Sequence, residues 1–173
     1  MKILHIHNMM IRNNGVMKFY TGKKFSNGII RNNHTLLEFS DRDLCRYNSP
    51  LYLRHMGKKL LQKQLLDTCS NFQPDMILLG HCELISNQTL VKIREIIPHI
   101  KIAHWFLDAL WIENNVERLK SRMHSTDAIF LTTAGDALKT LQTNHNIISF
   151  ITHPTDQSEE PFHTASKHDF SPD

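Results

Sequence analysis

A chain of 173 residues, 40% apolar and 21% charged, is sized for one soluble domain with a true core. Its net charge of +3, from 20 basic against 17 acidic residues, comes with no basic block and no basic stripe interleaved with aromatics, which argues against nucleic acid as a partner. Cys45, Cys69 and Cys82 lack CxxC spacing, and no apolar run reaches signal or transmembrane length, so the expectation is a cytoplasmic protein with neither disulfide framework, zinc ribbon nor transmembrane segment.

In chain order, Ile3 to His7 reads as a first strand, and residues 16–32 carry helical spacing through Phe19, Gly22, Ser26 and Ile29. Thr35 to Phe39 is a second strand, followed by the charged stretch Asp41-Arg42-Asp43 with Arg46 and Tyr47, which reads as a loop or a single capped turn. Leu53, Met56, Leu60, Leu61, Leu65, Cys69 and Phe72 predict a helix over 51–72. Met76 to Gly80 gives strand three. Ser86 is placed to cap a helix lined by Leu90, Ile93 and Ile97, with Pro98 beyond it. Lys101 to Phe106 is strand four, Val116, Leu119 and Met123 space a helix, and Ala128 to Leu131 is strand five. A short helix over 136–142 and a sixth strand, Ile147 to Phe150, complete the pattern.

Strands that are apolar on both faces need helices on both faces, so this alternation predicts an α/β, doubly wound, mostly parallel Rossmann-like sheet over residues 1–151. Residues 152–173 are polar and without periodicity, and read as a linker or tail.

Open α/β sheets bind ligands outside the carboxyl ends of their strands. That rule gathers one rim: Arg12, Asn13 and Asn14 after strand one; Asp41, Arg42, Arg46 and Tyr47 after strand two; His81 and Glu83 after strand three; Trp105 and Asp108 at strand four. Each has a plainer reading. Asp41 and Asp108 suit helix caps, Arg46 and Tyr47 a packed corner, and Trp105 the core rather than a sugar platform. The loop HNMMIRNNGVMK lacks both GxGxxG and GxxxxGK[ST], although a helix N-terminus near Asn14-Gly15, helped by Arg12, can meet a phosphate or acidic group. His5, His7, His81 and His104 lack carboxylate partners at ligand spacing, so no metal is expected.

The segments MKILHIHN, FSNGIIRNNHTLLEFSDRDLCRY, FQPDMILLGHCELI and IRE…PHIKIAHWFLD, in this order, resemble the N-terminal half of a GT-B glycosyltransferase, of the CgeB-like spore-maturation group. The resemblance covers about residues 1–155. It implies an acceptor-side domain facing a C-terminal domain, or partner chain, that carries the nucleotide-sugar donor, and sugar transfer to an acceptor glycan or other hydroxyl without a metal. On it, Asp108, His81 and Glu83 are the candidates for a general base, while Asn13, Asn14, Asp41, Arg42, Arg46, Tyr47 and Trp105 are candidates for substrate contacts. No donor motif lies in these residues, so no cofactor is expected here and the chain is expected to be inactive alone. The competing expectation is a stand-alone ligand-binding or protein-interaction module using the same rim.

Overall fold

The computed structural model describes residues 1–11, 14, 20–49 and 57–158. Strand β1 (Lys2–His7) leads to helix α1 (Thr21–Arg31), β2 (Thr35–Ser40), α2 (Asp41–Tyr47) and α3 (Lys58–Phe72). Then come β3 (Met76–Leu79), α4 (Asn87–Ile96), β4 (Lys101–Phe106) and α5 (Glu113–Met123). Strand β5 (Ala128–Leu131), α6 (Asp136–Lys139) and β6 (Ile147–Phe150) follow. The strands form one six-stranded sheet in the order β2-β1-β3-β4-β5-β6, every pair parallel. This is the doubly wound, Rossmann-like architecture expected from the alternation.

The period-two alternation within each strand sorts the core into two faces. Ile3 packs with Leu78, Ala103 and Trp105 against Phe25 and Ile29 of α1. Leu4 and Ile6 point the other way, with Ile77, Leu79 and Ile102, onto Leu61 and Leu65 of α3 and Leu90 and Ile93 of α4. Farther along the sheet, Phe106, Ile129 and Leu131 meet Leu119 and Met123 of α5. Burial of this apolar surface, at about 25 cal/mol per Å², is the main driving force for the fold.

Two sequence readings change. The stretch Asp41 to Tyr47 is a helix, not a loop: Asp41 and Asp43 occupy its first turn and Arg46 its last, the arrangement that complements the helix dipole. Strand three ends at Leu79, with Gly80 beyond it. Positions 16–19 and 51–56 of the two long predicted helices lie outside the described residues. Ser86 caps α4 as expected, its Oγ accepting the Thr89 amide at 3.1 Å.

Because β1 connects to β2 on one side and the chain then passes to β3 on the other, the strand order reverses between β1 and β3. Connections diverge there and leave a crevice at the carboxyl edge.

Candidate functional site

Two adjoining cavities open at that edge. The first, of about 150 Å³, lies beyond β3 and β4 and is lined by His81, Glu83, His104, Asp108, Arg118 and Arg122 among others. The second, of about 410 Å³, lies over the β1–β3 reversal and is lined by His7, Asn8, Met10, Tyr20, Thr21, Gly22 and Arg42. His81 and Trp105 line both.

Arginines organise the first cavity. Arg42 donates to Glu83 Oε2, and Arg118 donates to Asp108 Oδ2 while its second arm lies 3.4 Å from Glu83 Oε1. Burial pushes the Glu83 carboxyl up, but the Arg42 bond and charge outweigh it and hold the group below its ordinary value. His81 presents its Nδ1 3.9 Å from Asp108 Oδ2, so a carboxylate stands beside an imidazole at the cavity wall. Arg122 anchors the floor, donating to the Ile85 carbonyl at 2.6 Å and to Asn87 Oδ1 at 2.8 Å. Burial lifts the Cys82 thiol to about 12, which leaves it a thiol and not a nucleophile. Burial also drives His104 down to about 3, so it is neutral.

The β3 backbone ends close to the Trp105 ring. A Cβ on Gly80 would lie 2.1 Å from Trp105 Cζ2, so only glycine lets the chain turn here toward His81. Trp105 itself is core: its indole N–H donates to His5 Nε2 at 3.0 Å and its ring stacks on Phe25 at 5.0 Å. His5 Nδ1 is 2.9 Å from Ser26 Oγ. Because the indole occupies Nε2 as an acceptor, His5 carries its proton on Nδ1, and burial keeps the ring neutral.

The predicted rim residues divide among these places. His81, Glu83, Asp108 and the edge of Trp105 converge on the first cavity, and Arg42 reaches it through Glu83. Asp41 is turned inward with no exposed surface, accepting the Arg42 amide at 2.7 Å and the Leu84 amide at 3.2 Å. It ties α2 to the loop after β3 and so sets where Glu83 stands. Arg46 and Tyr47 line a separate apolar groove with Met9, Ile11 and Leu44. Asn14 is exposed, at φ 50°, beyond both cavities, and Asn13 lies outside the described residues. Asp108 does not cap α5; it pairs with Arg118 inside that helix.

Sequence reading missed Arg118 and Arg122. Their spacing of four places both on one face of α5, but the face they serve is set by where α5 lies on the sheet. It also missed Tyr20, Thr21 and Gly22, because the helix begins later than Asn14-Gly15. Among the described residues, no group of three or more His, Cys, Asp or Glu side chains gathers as metal ligands, and no helix is long and apolar enough to cross a membrane.

No family model matches this chain, and no curated protein matches it either.

Proposed function

We propose that this chain is the acceptor-binding half of a glycosyltransferase, working with a donor-binding domain or partner chain in a reducing cytoplasm. The observation that carries the reading is the convergence of His81, Glu83 and Asp108 on one cavity at the carboxyl edge of β3 and β4. Glu83 and Asp108, each bonded by an arginine, are fixed acceptors for sugar hydroxyls. Both carboxylates are already engaged by arginine. His81, beside Asp108, is the better group to take the acceptor hydroxyl's proton, with Asp108 orienting the ring. The donor sugar would approach from outside the edge, where Trp111 stands 85% exposed.

A two-stage experiment tests this. Amide NMR of the chain with a panel of mono- and oligosaccharides should show saturable shifts at residues 80–83 and 104–108, with no response to nucleotide sugars. The His81→Ala chain, combined with its donor partner, should keep sugar binding and lose transfer by about 10²–10⁴-fold. If no saccharide moves those amides, the acceptor reading falls.

The pre-pairing of both carboxylates with arginine also favours a second reading, a stand-alone binding module. Saccharide binding by the native assembly without any transfer of a labelled donor sugar would select it.

A further inference from the structure

The larger cavity, over the β1–β3 reversal, is built differently from the one beside it. Helix α1 points its N-terminus into it through Tyr20, Thr21 and Gly22. The first amides of any helix have no intrahelical carbonyl to bond. Here Tyr20 provides no side-chain cap and the first turn holds no acidic residue, so nothing in that turn offsets the positive end of the dipole.

A second observation is independent of the helix. His7 lines the same cavity, is only 1% exposed, and its Nδ1 has no hydrogen-bond partner. Glu38 Oε1 stands 3.4 Å from its Nε2, and Lys23 of α1 lies 3.7 Å from the other oxygen of that carboxylate, so Glu38 serves the Nε2 side of the ring and leaves Nδ1 unmet. Nδ1 faces the helix start, so near that a Cβ on Gly22 would fall 2.6 Å from it. A buried, unpartnered ring nitrogen is costly unless something arrives to meet it. Arg42, which lines the same cavity, repeats the pattern: one arm holds Glu83 while its Nε is buried without a partner.

We propose that this cavity binds a phosphate group, received by the first-turn amides of α1, Arg42 Nε and His7. Phosphate suits the set because it offers several acceptor oxygens to converging N–H donors. In its monoprotonated form it also carries a hydroxyl that satisfies His7 in either tautomer. A space of about 410 Å³ exceeds what one phosphate fills, so the ligand is a phosphomonoester whose remaining part lies toward His81. The inference does not depend on sugar transfer, because none of its donors belongs to the His81–Asp108 pair.

The test is amide NMR titration of the full chain with inorganic phosphate and with glycerol 3-phosphate, against sodium chloride at matched ionic strength. Saturable shifts at Thr21 and Gly22 are expected with both, the ester binding more tightly; equal affinity would make the free anion the ligand. Arg42→Gln should weaken binding by about tenfold or more, the usual worth of a charged hydrogen bond. Thr21→Pro gives a second variant. Proline is tolerated at the first helical position and removes one amide donor, and Tyr20 at ψ 153° already has the extended backbone that precedes proline. It should weaken binding several-fold with the melting temperature unchanged. Absence of saturable shifts at Thr21 and Gly22, or affinity unchanged in both variants, overturns the site.

Discussion

Asp41 and Glu38 show how neighbouring carboxylates at the same sheet edge acquire opposite acid–base behaviour. Burial lifts Asp41 from 3.8 to about 6, so the folded protein holds a proton that the unfolded chain has released. Its contribution to stability is therefore greatest below about 4 and declines as pH rises to about 6, by about 3 kcal/mol in all. Urea unfolding of wild type against Asp41→Asn should show the difference between them moving against wild type across that window and level above it. A constant difference would mean that Asp41 is not desolvated. Glu38 runs the other way. The His7 imidazole beside it, with Ser26 and Lys23, outweighs burial and lowers it from 4.5 to about 2. Its stabilisation is present above 4.5 and is lost as pH falls toward 2, so the gap between wild type and Glu38→Gln should close on acidification.

At the scale of elements, the turn out of β3 lines the smaller cavity and leads on to the start of α4. Trp105 cannot yield to a side chain at position 80, because its N–H is bonded to His5 and its ring is stacked on Phe25. Gly80→Ala should cost about 1–3 kcal/mol through overpacking, with a change in tryptophan fluorescence that reports displacement of the ring. Ser86→Ala removes the cap of α4 and should cost about 1 kcal/mol, leaving the fluorescence as in wild type. Helix α2 carries a different lesson. Seven residues with four charges read as solvated from the sequence. Their side chains are instead spent on neighbouring segments: Asp43 accepts from Ser40 Oγ at 2.6 Å and from the Ile11 amide at 3.2 Å, while Asp41 holds the Leu84 amide. No local pattern marks such bonds, because their partners lie more than thirty residues away in two of the three cases.

Across the whole molecule, the segment after β6 returns to α1. Arg31 binds Asp156 at 2.9 Å and Ser158 Oγ at 2.9 Å, which straps residues 151–158 onto the helix whose N-terminus faces the larger cavity. Arg31→Ala should free this strap and speed limited proteolysis around residues 151–158, with little change in global melting. At the other end of the sheet, β6 leaves Ile147 and Phe150 exposed.

The sequence by itself determined the strands, their order of appearance and, α2 apart, the helices between them. Each depends on the spacing of apolar residues over ten or so positions, and burial on both faces forces a parallel, doubly wound sheet. The carboxyl-edge rule also placed His81, Glu83 and Asp108 at that edge from the strand ends alone, where they line one cavity. Only the tertiary structure decided which rim residues share a cavity. Arg46 and Tyr47, one turn along α2 from Arg42, went to a separate groove with Met9, Ile11 and Leu44. Arg118 entered the site because α5 packs on β4 and β5 in a position from which this side chain reaches Asp108 and Glu83. Asp41 was withdrawn because an amide forty-three residues away needed an acceptor. These outcomes rest on contacts between segments distant in the chain, and local periodicity carries no record of them.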